Sequence, residues 1–97
     1  MLQMCEAQPN VAVEFDGRLD TATCASIEAE VRARVTAPGA PVVFDLCRVD
    51  FVSSAFLRLC IYAQQQAGDW GFRIVNAGPC IKRVFKIAGL DVMLSDE

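Results

Sequence analysis

The stretch Phe44-Asp45-Leu46-Cys47-Arg48-Val49-Asp50-Phe51-Val52-Ser53-Ser54-Ala55-Phe56-Leu57-Arg58 decides the reading of this chain. Its opening residues, with Val42 and Val43 before them, form a β-branched and aromatic run of the kind found in strands buried on both faces. A short crossing loop follows. Ser53 and Ser54 then stand just ahead of a helical pattern, where hydroxyls cap free backbone N–H groups. A phosphate added at such a serine would sit at the positive end of the helix dipole. The chemistry that caps the helix can therefore also carry a switch.

Working outward, Pro38-Gly39-Ala40-Pro41 launches the Val42–Leu46 strand and stops the element before it. That element is read as a helix: Cys24, Ile27, Val31 and Val35 recur at helical spacing, with Glu28, Glu30, Arg32 and Arg34 off the stripe. Asp20 or Thr21 can cap it. Upstream, Val11, Val13 and Phe15 alternate with Ala12 and Glu14 as in a half-buried strand, which Asp16-Gly17 is expected to end. Met1 to Glu6 reads as a short edge strand, and Gln8-Pro9-Asn10 as a turn.

Downstream of the serines the helical pattern runs from Ser54 to about Ala67. Leu57, Cys60, Ile61 and Gln64 mark one face, widened by Leu59, Tyr62 and Ala63, and Gly68 is a natural stop. Phe72, Ile74 and Val75 suggest a strand. Pro79 opens a last helix with Ile81, Val84, Phe85 and Ala88 as its stripe and Gly89 as its end. Val92-Met93-Leu94 reads as a final short segment. The order β-β-α-β-α-β-α implies crossover connections and a partly parallel sheet. The expectation is one α/β domain over residues 1–97, with a four- to five-stranded mixed sheet and three to four helices packed against it.

Composition narrows the function classes. Ninety-seven residues, 54% of them hydrophobic, suit one compact domain and argue against disorder. No apolar run reaches about 18 residues, and no secretory pattern opens the chain, so a cytoplasmic location is expected by default. Cys5, Cys24, Cys47, Cys60 and Cys80 form no Cys-x-x-Cys pair, and the chain has no histidine. They read as small apolar fillers in a reducing compartment, with no metal or cofactor implied. Without histidine the usual general base is missing, no Gly-rich phosphate loop is present, and no nucleophile–base pair is apparent. Asp20, Asp45 and Asp50 could meet near one edge, but an enzyme is not expected. A net charge of −3 argues against a nucleic-acid footprint. Arg32/Arg34 and Lys82/Arg83/Lys86 read as solvated helix faces.

Four ordered landmarks resemble the STAS domain family, the fold of bacterial anti-sigma factor antagonists. They are Gly17-Arg18-Leu19-Asp20, Val42-Val43-Phe44-Asp45-Leu46, Phe51-Val52-Ser53-Ser54-Ala55-Phe56-Leu57-Arg58 and Val84-Phe85-Lys86-Ile87-Ala88-Gly89-Leu90. The resemblance covers nearly the whole chain and implies a STAS-like fold. It also implies a phosphorylation site at Ser54, with Ser53 where Asp often stands and Ala55 where a second Ser or Thr often stands. Phe56 replaces the Gly usual in the family.

The function that this resemblance implies is partner switching. The unphosphorylated protein binds an anti-sigma factor that is also a serine kinase, a histidine-kinase-like ATPase. Phosphorylation of Ser54 breaks the complex, and a serine phosphatase restores it. The expected partner-binding residues are Asp20, Asp50, Ser53, Ser54, Ala55, Phe56 and Arg58. Five of them have a plainer reading as well. Ser53 and Ser54 can serve only as helix caps, and Asp20 as the N-cap of the first helix. Arg58 can solvate its helix or pair with a partner carboxylate. Phe56 falls away from the Leu57/Ile61 stripe and reads either as an exposed anchor or as a ring folded against a neighbouring loop. A second job on the same fold is that of an accessory subunit of an ABC-type lipid transporter, binding its ATPase subunit, with Ser54 as a contact.

Overall fold

A computed structural model describes residues 10–95. Three strands and three helices alternate: β1 (Val11–Leu19), α1 (Thr21–Val35), β2 (Val42–Val52), α2 (Ser54–Ala67), β3 (Phe72–Val75) and α3 (Pro79–Ile87). Single 3-10 turns follow α2 at Gly68–Trp70 and α3 at Asp91–Met93. The strands form one sheet in the order β1-β2-β3, both pairings parallel. Leu94 adds a single parallel bridge to Ile74 on the outer side of β3.

The α/β class and the three helices match the sequence reading. The sheet does not: among the described residues it is three-stranded and parallel, not four- to five-stranded and mixed. The strand expected at Met1–Glu6 lies outside the described residues, and Val92-Met93-Leu94 contributes only a turn and one bridge.

Two strands are longer than expected. Val42, Phe44 and Leu46 alternate into the main core at 0% exposure, while Val43 is buried outside that cluster. Beyond Leu46 the buried positions become Val49 and Val52. The register explains this change of period. Glu14 and Asp16 face Asp45 and Arg48, and Gly17 and Arg18 face Val49 and Phe51. Each step inserts one extra residue into β2, as β-bulges do. β1 likewise does not end at Asp16-Gly17 but runs on to Leu19. Gly17 carries the bend at φ +81°, a left-handed conformation that costs a side-chain-bearing residue steric energy.

Side chains from all three strands, all three helices and Met93 share one hydrophobic cluster. At its centre the Phe15 ring meets Phe44 edge-on at 4.9 Å and Phe56 at 5.0 Å, and Phe72 meets Phe44 at 5.0 Å. Such edge-to-face pairs are favoured by the ring quadrupole. The α2 stripe is Phe56, Leu59, Cys60, Ala63 and Ala67. This face is rotated from the expected Leu57/Ile61 face: Leu57 is half-buried and Ile61 is 37% exposed.

Candidate functional site

Parallel pairing fixes where the two serines stand. Leu19 is the register partner of Val52, so the next residues, Asp20 and Ser53, leave the sheet side by side. Each is the N-cap of a helix, Asp20 of α1 and Ser53 of α2. Two helix N-termini therefore open at the carboxyl end of adjacent parallel strands, where α/β folds gather their ligand-binding residues.

The two caps differ. The Asp20 carboxylate accepts a hydrogen bond from the Thr23 backbone N–H at 2.9 Å and lies 3.7 Å from the Arg18 guanidinium. The Thr23 bond, chiefly, holds its pKa below the usual carboxylate value, with Arg18 adding to the effect. Ser53 caps only through its carbonyl, which accepts from the N–H groups of Phe56 and Leu57 at 3.0 and 3.1 Å. Its hydroxyl makes no capping bond and lies 4.0 Å from the Cys24 thiol. The first turn of α2 thus keeps N–H donors that no side chain among the described residues has claimed. Ser54, the first residue of that turn, is exposed.

Around Ser54, the half-buried Ala55 and exposed Arg58 line a shallow groove between α1 and α2. Thr21, Ala25, Glu28 and Arg32 form its other wall, and its volume is about 240 Å³. Cys24 lies at its base, 3% exposed, its thiol directed at the Leu19 carbonyl 3.7 Å away. Burial pushes this thiol's pKa up, which favours the protonated thiol. On the sheet side Asp50 is exposed at the second bulge of β2.

Phe56 requires correction as a surface residue. Its ring is 0% exposed and packs on Phe15, so it offers no surface to a partner. It does not fold against a loop either, but lies within the main core. Helix phase explains this: Phe56 is three and four residues before Leu59 and Cys60, both buried. The other six expected residues gather at the strand ends and the start of α2. Sequence reading passed over Arg18 and Phe51. The Arg18 guanidinium lies 4.1 Å from the centre of the Phe51 ring, and the two are register partners at the last exposed step of the β1–β2 ribbon. The alternation needed to see this pairing is broken by the bulges.

The fold and the landmarks together define a class. A family model described as "Mlab, STAS domain" matches residues 4–95, and the chain belongs to the STAS domain family. The putative anti-sigma factor antagonist BtrV of Bordetella bronchiseptica (strain ATCC BAA-588 / NCTC 13252 / RB50) is a relative 33% identical over 77 residues. That match covers 77% of this chain and 66% of BtrV, a little under two thirds of the relative's own length. In fold, the chain is similar to the anti-sigma factor antagonist SpoIIAA in its unphosphorylated form, with a TM-score of 0.76 and 18% identity, over 97% of this chain and 84% of that one. It is also similar to the Bacillus cell fate determinant SpoIIAA in the phosphorylated form, with a TM-score of 0.68 and 19% identity, over 97% and 87% of the two chains. At these identities the likeness to SpoIIAA concerns the fold.

Proposed function

We propose that this protein is an anti-sigma factor antagonist that works by partner switching. In its unphosphorylated form it binds an anti-sigma factor that is also a serine kinase. Phosphorylation of Ser54 ends the complex, and a serine phosphatase resets it. In this reading the chain is a cytoplasmic ligand and substrate rather than a catalyst. Support comes from family membership, from the likeness to the putative anti-sigma factor antagonist BtrV, and above all from one observation: Ser54 is exposed on the first turn of α2, directly after the Ser53 cap.

The physical argument is one of charge. A phosphoserine brings about −1.5 to −2 charges at neutral pH. Asp20 and Asp50 stand at the same strand ends, so an interface formed there would have to desolvate that charge among carboxylates. Within the domain the phosphate meets the unclaimed N–H donors of α2 and is tolerated. Binding is thus lost without loss of the fold. Arg58 and Ala55 on α2, with its N-cap Ser53, are the further contact residues. Phe56 acts only indirectly, by holding the first turn of α2 against the core.

The test is a pull-down from the source organism with wild type and Ser54→Asp as parallel baits, followed by mass spectrometry. A histidine-kinase-like ATPase held by wild type, and reduced at least tenfold on a folded Ser54→Asp bait, is the expected result. Permease and ATPase subunits held equally by both would assign the chain to a lipid transporter instead, with Ser54 as a contact.

A further inference from the structure

The end of the molecule away from Ser54 has its own chemistry. Trp70, Ile87 and Val92 are the most exposed large apolar side chains among the described residues, at 53%, 79% and 81%. The topology brings them to one end of the sheet. Trp70 stands two residues ahead of β3. Val92 stands two residues ahead of Leu94, which bridges in parallel to Ile74 of β3. Ile87 closes α3, which starts beyond the far end of β3 and returns. All three lie toward the amino ends of the strands, whereas Ser54 lies at the carboxyl ends.

Positive charge runs along α3 toward the same end. Lys82, Arg83 and Lys86 form the outer stripe of α3, opposite the buried Ile81 and Phe85. With Pro79, Asp91 and Leu94 they line an open groove of about 520 Å³. None of the three cations has an ion-pair partner among the described residues. Arg73 and Trp70 line a second shallow cavity with the strand-leading residues Asn10, Pro41 and Val42. Between Asp69 and Asp91, which flank the segment, there are four basic residues and no acidic one; outside it stand five basic and twelve acidic residues, with Asp91 at the edge of the groove. In a chain of net charge −3 this is a local reversal of sign.

We propose that this end docks on an anionic membrane surface. Trp70, Ile87 and Val92 enter the headgroup boundary, and Arg73, Lys82, Arg83 and Lys86 face the acidic headgroups. Charge alone would suit an acidic protein equally well. The three projecting apolar side chains favour lipid, because a basic face combined with exposed Trp and aliphatic residues is the signature of interfacial binding. Repulsion from the acidic remainder falls off beyond a Debye length of about 8 Å. Docked in this way, the domain holds its Ser54 end toward solution, so the proposal stands whether or not Ser54 is a phosphorylation site.

The experiment uses the full chain with vesicles of phosphatidylcholine and phosphatidylglycerol in equal parts, and with vesicles of phosphatidylcholine alone. Co-sedimentation and the emission of Trp70, the sole tryptophan, are the readouts. Binding to the anionic vesicles only, weakened by salt and accompanied by a blue shift of Trp70, is expected. Each neutralised cation should weaken partition about fivefold, so Lys82→Gln with Lys86→Gln loses about 25-fold. Ile87→Ser, at a site exposed enough to leave folding intact, loses severalfold and keeps the salt dependence. Equal partition to both vesicles, or an unshifted Trp70 emission, would overturn the proposal. So would binding to soluble polyglutamate that competes fully with the vesicles and is unaffected by Ile87→Ser, which would assign the face to an acidic protein.

Discussion

The two halves of β2 obey different rules. From Val42 to Asp45 the strand is paired on both sides, by β1 and by β3, and every side chain but Asp45 is buried. From Leu46 to Val52 only β1 remains as a partner among the described residues, the register slips twice, and Arg48, Asp50 and Phe51 reach solvent. Asp45 stands at the boundary. Its carboxylate accepts from the Cys47 N–H at 3.0 Å and from the Asn76 side chain at 3.1 Å. It thereby ties the point where β3 ends to the point where the bulged half begins. The first half gives the domain its core. The second leads to Ser53 and Ser54 and departs from strict alternation.

That contrast can be broken most severely from the regular half. Phe44→Ala removes a ring that is 0% exposed and should cost about 3–5 kcal/mol in urea unfolding. Phe56→Ala should cost a similar amount, because Phe56 belongs to the same aromatic cluster. A Phe56 substitution with near-wild-type stability would mean that its core position is wrong. Next comes the bend itself. Gly17→Ala has open space for its methyl group but must hold φ +81°, and should lose about 1–2 kcal/mol. Phe51→Ala, in the loosened half, should lose about 1 kcal/mol or less, since its ring is 36% exposed and stacks with a solvent-facing arginine.

The smallest effect is one of pH. Hydrogen bonds from backbone N–H groups, above all, lower the folded-state pKa values of Asp20 and Asp45 from the ordinary 3.8. The folded state therefore binds fewer protons than the unfolded state just below that value. The stabilisation is fully present above the ordinary carboxylate pKa and is lost as pH falls through the lowered folded values. Denaturant midpoints measured down this acid range should fall less steeply for Asp20→Asn, which keeps the cap without a titrating group.

Much of the regular half was legible in the sequence, because a β-branched and aromatic run announces a doubly covered strand. Asp20 as a cap and Pro79 at the start of α3 were legible for the same kind of local reason. The bulged half was not. Each inserted residue turns the period of two into three, so Val49 and Val52 no longer look like a continuation of Phe44 and Leu46. Helix α2 was misphased for a different reason. Its buried stripe relies on Cys60, Ala63 and Ala67, small residues with a weak signal, while the larger Leu57 and Ile61 drew the stripe toward themselves. With the phase wrong, Phe56 falls outside the core stripe and reads as an exposed anchor or as a ring against a loop. The candidate site residues other than Phe56 rest on family landmarks, whereas Arg18 and Phe51 depend on a register that only the three-dimensional pairing reveals.

The burial of Phe56 also determines how Ser54 can be read by another protein. Only Ala55 separates the serine from a ring locked into the core, so peeling the first turn of α2 into an extended strand would pull that ring into water. Local unfolding of this kind is costly wherever apolar contacts are dense. An enzyme that modifies Ser54 must then recognise a folded surface and accept the hydroxyl in helical geometry. A synthetic peptide carrying the same sequence would be a poor stand-in for the domain, and specificity would reside in the tertiary shape rather than in a linear consensus.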